Sequence, residues 1–287
     1  LTVYCNWDDH SKGNCQHDHN KNHEQTAAAT KNTVVETPLK LNTSIAAGSP
    51  AIVNGATYRV IPFPAESPNH AGGAHALRTD PWNAAPGNAT TLKWHNNGTV
   101  DFTITRGNNV WAQEDRNGNN GTGTAATSST NPDPLTFDFT PNFTVTPTQV
   151  TPNPNQQFSI TNLFYWNNII HDVMYLYGFD EVSGNFQASN LGRGGNGNDY
   201  VLADAQDGGG TNNANFSTPA DGGNGRMQMY LWSGNPQKDG DLDNGIVTHE
   251  FAHGISNRLT GGPAQAGCLG NAEQMGEGWS DYYSLMF

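Results

Sequence analysis

Apolar residues recur at helical spacing in three parts of this chain and alternate with polar ones in several shorter runs. Over 156–178, Ile160, Leu163, Phe164, Ile170, Met174 and Tyr177 fall near a 3.6-residue period, and Gly178 supplies the stop. A second helix is predicted to start near Asp241 or Asp243, whose carboxylates suit an N-cap. It should end at Gly261-Gly262-Pro263. A third helical pattern opens at Gly276 and carries Trp279, Tyr282, Leu285 and Met286. Strand signals lie at 56–61, 99–104 and 135–139, and again at 199–205, 212–216 and 226–232. Pro62, Pro64, Pro68, Pro81 and Pro86 forbid long central strands in the first half, and 118–131 is a Gly/Asn/Thr/Ser stretch predicted to be a mobile loop. The pattern predicts an α+β chain. Residues 1–44 are expected to form a linker or propeptide remnant, 45–155 a β-rich N-terminal lobe, and 156–287 a mainly helical segment.

Composition narrows the classes. At 287 residues there is ample material for a core, and the net charge of −13 argues against nucleic-acid binding, which needs a basic face. No apolar run approaches the ~18 residues of a membrane span. Only 14% of residues are charged, and a neutral-polar, loop-rich surface suits an extracellular protein. Asn42, Asn88, Asn97, Asn120, Asn142 and Asn215 each begin an Asn-x-Ser/Thr triplet, which matters only in a glycosylating source. Of the three cysteines, Cys5 and Cys15 could close a short loop, leaving Cys268 with a partner beyond this chain or as a buried thiol. His10, His17, His19 and His23 cluster with Asp8, Asp9 and Asp18, but nothing places them on a rigid element, so a disordered linker is the reading preferred to a metal site.

The most informative stretch is His249-Glu250-Phe251-Ala252-His253. On a helix, positions i and i+4 share a face, so both imidazoles can aim at one ion. Zinc accepts such nitrogens at roughly 2.0–2.1 Å, and a catalytic site takes three protein ligands with one position left for water. Glu250 follows the first histidine directly, so its carboxylate can lie beside that water as a general base. The bland alternative is an exposed helix bearing two solvated histidines and a glutamate.

Downstream, Glu277 and Asp281 again stand at i and i+4. One carboxylate could be the third ligand, and the other could accept the free ring N–H of a ligating histidine. The alternative, a solvated acidic face, would leave two like charges close together among apolar residues. His171 and Asp172, on the first helix, read as a core histidine with its hydrogen-bond partner and are left out of the site.

The segments HEFAHGISNRLTGGP and MGEGWSDYY resemble the fungalysin family of secreted zinc peptidases. So do NLFYWNNIIHDVMYLYGFDEVSGNFQ, NNANFSTPADG and GRMQMYLW; together these cover most of 158–283. The resemblance implies a thermolysin-like (gluzincin) catalytic domain behind a β-rich lobe. It implies one zinc per chain on His249, His253 and Glu277, catalysis by Glu250 and support from Asp281. It further implies that Asn213 and Ala214, on an edge strand, hold a substrate backbone by strand addition. The many Asp and Asn leave room for structural calcium, but it is not indicated, since no twelve-residue calcium loop is present. Partners would be polypeptide substrates and the rest of the protein's own precursor.

Both ends look cut: Leu1 is not a start methionine, and Phe287 falls inside the third helical pattern. Relatives use a histidine, often with a tyrosine, to stabilise the oxyanion. No tyrosine lies between His253 and Glu277, and the histidine would come from sequence after Phe287, so this stretch alone is expected to be weakly active or inactive. Two rival readings are a non-catalytic extracellular β-rich binding module with a degenerate zinc helix, and a zinc aminopeptidase, which would need an acidic anchor for the substrate amine.

Overall fold

The computed structural model describes residues 54–130, 134–147, 154–270 and 275–287. The linker, histidine-cluster and Cys5–Cys15 expectations lie outside these residues. Among the described residues, two sheets and three α-helices, with three short 3-10 turns, make up the regular structure. In the first sheet, β1 (Thr57–Val60) pairs antiparallel with β2 (Ala76–Thr79) and parallel with β4 (Thr136–Phe137). In the second, β3 (Val110–Glu114), β5 (Val201–Thr211) and β7 (Arg226–Trp232) run parallel. Two antiparallel strands complete that sheet on β7: β6 (Ala214–Ser217), which forms its edge, and β8 (Lys238–Asp239).

The predicted strand at 99–104 is replaced by isolated bridges between Asn96 and Asp101 and between Ile104 and Thr127. The reason is local. The side-chain oxygen of Asn97 takes the amides of Thr99 and Val100 and the Thr99 hydroxyl, which turns the chain before a ladder can form. The Gly/Asn/Thr/Ser stretch after Gly118 is tied to its neighbours by the bonds from Glu114 N–H to Thr124 C=O and from Thr105 N–H to Ala126 C=O. Ala126 is fully buried.

Helix α1 (Pro154–Leu176) is the central post. Its residues from Phe158 to Asp172 are buried almost without interruption, as expected of a helix covered on all sides rather than an amphipathic one. Its buried amides therefore need partners. Asn162 accepts from Ile61 N–H and donates to the Asp241 carbonyl and the Asn244 side chain, at 2.8–2.9 Å. One side chain thus ties the β1 end and the start of the next helix to the post. His171 Nδ1 lies 3.0 Å from Asp172, whose other oxygen accepts from Trp94 Nε1 at 2.9 Å, all within the core.

Helix α2 (Asn244–Thr260) begins where Asp243 Oδ1 accepts the Ile246 amide and ends at Gly261. Asn244 also donates to Ala65 C=O at 2.7 Å, fixing the entry of the helix against the N-terminal lobe. Helix α3 (Gly276–Met286) packs along α2, with Ser284 Oγ donating to Gly245 C=O. Among the described residues no helix is long and apolar enough to cross a membrane.

Candidate metal centre

The buried face of α2 carries Val247, Phe251 and Ile255 into the core. That orientation turns His249 and His253 toward α3, because residues one turn apart share a flank. Both imidazoles are mostly covered, with 13% and 15% of their side-chain surface exposed, and Glu277 on α3 is about one-third exposed. Three donor atoms converge. His249 Nε2 lies 3.1 Å from His253 Nε2 and 3.0 Å from Glu277 Oε2, and His253 Nε2 lies 3.3 Å from Glu277 Oε1. A tetrahedral ion with ligands at about 2.0–2.1 Å would space them by roughly 3.3 Å. The donor set and spacing therefore fit a divalent ion of the zinc type. Two imidazole nitrogens pointed at each other at this distance cannot both donate, which a shared cation resolves.

Asp281 Oδ1 sits 2.9 Å from His249 Nδ1, on the far side of that ring. Its side chain is 72% exposed. Burial works against protonation of His249, but the hydrogen bond to Glu277 and the charges of Glu250, Glu277 and Asp281 outweigh it and raise its pKa. Burial would likewise raise Glu277, yet the bonds from His249 and His253 hold it at about 2.

Glu250 occupies the opposite situation. It is 2% exposed, and burial lifts it to about 7, against the pull of His253 and His249 and with some help from Glu277. All five residues singled out around the motif are thus brought together. Asn213 and Ala214 lie elsewhere, at the start of the edge strand β6, which packs on α2. Asn213 C=O accepts from Tyr230 N–H, and Ala214 pairs with Met229.

Tyr230 was not foreseen. Its hydroxyl accepts from Asn215 Nδ2 at 2.6 Å. Its pKa is raised by burial first, then by Asp207, with Glu250 adding to it. Alternation along β7 puts it on the face of Arg226 and Gln228, opposite the buried Met227 and Met229, so the sequence pattern did not mark it. A second acidic group, Asp115, Asp204 and Asp207, gathers on the sheet. Its oxygens are already engaged by the Asn119, Asn120 and Gly209 amides, by Gln113 and Gln228, and by Arg226.

The profile of the fungalysin metallopeptidases (M36) matches residues 57–287. The chain belongs to that family. This fungalysin chain is 46% identical to extracellular metalloproteinase 2 of Trichophyton rubrum over 235 residues, 81% of this chain and 36% of the relative. It is 47% identical over 230 residues to the extracellular metalloproteinase MEP of Fusarium vanettenii, covering 79% and 34%. The corresponding protein of Pyricularia oryzae is 46% identical over 235 residues, covering 81% and 36%. The fungalysin chain therefore spans about a third of the length of the curated relatives it matches.

Proposed function

We propose that this chain carries the metal-binding part of a secreted zinc endopeptidase that hydrolyses internal peptide bonds. The observation that carries the reading is the convergence of His249 Nε2, His253 Nε2 and a Glu277 carboxylate oxygen within 3.0–3.3 Å of one another. The family makes the protein a metallopeptidase, and the two-imidazole, one-carboxylate set favours zinc among divalent ions. Secretion is proposed from the relatives' description as extracellular.

When bound, zinc supplies a Lewis acid that polarises the scissile carbonyl and acidifies water. His249, His253 and Glu277 would hold it. Asp281 accepts the Nδ1 proton of His249 and so keeps the other ring nitrogen's lone pair aimed at the ligand position. Glu250 takes a proton from the attacking water and passes it to the leaving amine. Its burial favours this, since a base tuned near neutrality both accepts and releases a proton readily. Asn213 and Ala214 would align an extended peptide along the open edge of β6.

In the full-length protein, one zinc per chain and cleavage of an amino-blocked peptide are expected. Zinc without cleavage of any internal bond would leave an aminopeptidase. Absence of a tightly held metal would favour a binding module instead.

A further inference from the structure

The last turns of α2 lie against β6 through a contact to which the helix itself adds no side chain at Gly254. A methyl placed on Gly254, the residue after His253, would come within 2.8–2.9 Å of ring atoms of Phe186 and Phe216. Phe216 belongs to β6, and its ring packs on Phe186 and Phe251 at 5.5 and 6.1 Å between centroids. The pair cannot retreat freely. Phe186 is fully buried, and a methyl on Gly225 would meet the same two rings at 2.8–3.0 Å. Glycine at 254 therefore lets the helix approach the strand as closely as the aromatic rings allow.

Arg258 holds that approach in place. It stands about 13 Å along the helix from His249, at 1.5 Å per residue, and is fully buried. Its guanidinium donates to the carbonyls of Gly184, Pro219, Ala220 and Gly223 and to the carboxylate of Asp199, at 2.6–3.3 Å, with Asp221 at 3.4 Å. It also stacks over Phe186 at 4.2 Å. Residues 219–223 lie in the connection from β6 to β7. Asn257 adds a bond from the same helix to Thr218, the residue after β6. The planar, five-donor fork is suited to gathering several carbonyls at once, which a lysine is not.

We infer that Gly254 and Arg258 are positioning residues that set the height of the edge strand β6 relative to the metal-binding helix, and so the place an extended peptide takes beside the metal. The inference rests on the proposed use of β6 as the substrate-aligning strand. A strand displaced by a methyl should mis-seat the peptide while leaving His249, His253 and Glu277 undisturbed, because the ligands face α3 and Gly254 faces the sheet.

The test is steady-state cleavage of an extended, amino-blocked peptide by the full-length protein, with zinc content measured in parallel. Gly254→Ala should keep one zinc and raise KM on the order of tenfold, as expected when about one peptide-to-strand hydrogen bond is lost. Adding Phe216→Leu, which opens room for the methyl, should bring KM most of the way back. Arg258→Lys, which keeps the charge but loses the fork, should raise KM in the same direction with zinc retained. Asn213→Ala tests the underlying reading separately, and it should raise KM with no change in helix spacing. If Asn213→Ala raises KM and Gly254→Ala does not, or if Phe216→Leu gives no relief, the spacing role is overturned. If Asn213→Ala also leaves KM unchanged, β6 is not the substrate strand and the inference falls with it.

Discussion

His249 and Asp281 face each other across 2.9 Å, with the carboxylate on Nδ1 of the same ring whose Nε2 points at His253 and Glu277. The contact fixes which nitrogen carries the proton and therefore which one is available as a ligand. Partners of this kind change metal affinity by roughly ten- to a hundredfold. Because the Asp281 side chain is 72% exposed, water can replace part of its effect. We predict about a tenfold loss of zinc affinity in Asp281→Ala, measured by chelator competition.

Glu250→Gln should hold zinc and abolish turnover in the full-length protein, whereas His253→Ala should lose both. The base must be ionised to act. Burial lifts Glu250 to about 7, and a nearby cation pulls it down. Turnover should therefore rise with pH along an acid limb that lies below pH 7. A pH profile of kcat/KM checks this, and a limb rising only above neutrality would contradict it.

Asp241 is fully buried beside the buried Asp239, and apart from that carboxyl no side chain or amide donates to its carboxylate oxygens. Burial, then the charge of Asp239, raises its pKa well above the ordinary value. The folded state thus prefers the protonated acid. Its stabilising share is present below the unfolded pKa near 3.9 and is lost as pH rises toward the folded one. Asp241→Asn mimics the protonated form. We predict that it stabilises the chain at pH 7 by about 1–3 kcal/mol and has little effect near pH 4. Urea unfolding at the two pH values measures the difference.

Asn162 serves three buried partners at once: Ile61 N–H, Asp241 C=O and the Asn244 side chain. Asn162→Ala leaves these groups dry and unpaired, each costing about 1–3 kcal/mol. A loss of roughly 3 kcal/mol or more is expected by denaturant unfolding, and zinc content should fall in step with the folded fraction.

How much of this was legible in the sequence depends on the range of the interaction. The bounds of α2, the face shared by His249 and His253, and β7 at Arg226–Trp232 followed from local spacing and capping. That Glu277 and Asp281 pair by spacing, one as a third ligand and the other behind a histidine, is a reading the residues themselves offer; which carboxylate takes which place came from the family resemblance, and their meeting with α2 is a tertiary fact. The strand at 99–104 failed because one asparagine side chain outcompeted a ladder. Arg258 and Gly254 were passed over for a different reason. A charged residue near a helix end reads as a solvated cap, and a glycine late in a helix reads as tolerated. Only the packed sheet shows that one is fully buried and the other sits against two aromatic rings. Tyr230 shares its alternate face of β7 with Arg226 and Gln228, so spacing gave no reason to single it out.

One divalent ion is expected between α2 and α3. Crystals of the protein grown with zinc, with diffraction recorded on both sides of the zinc absorption edge, test it most directly. One strong anomalous peak is expected about 2.0–2.2 Å from His249 Nε2, His253 Nε2 and a Glu277 oxygen. No peak there, or a dominant one at Asp115, Asp204 and Asp207, would contradict it.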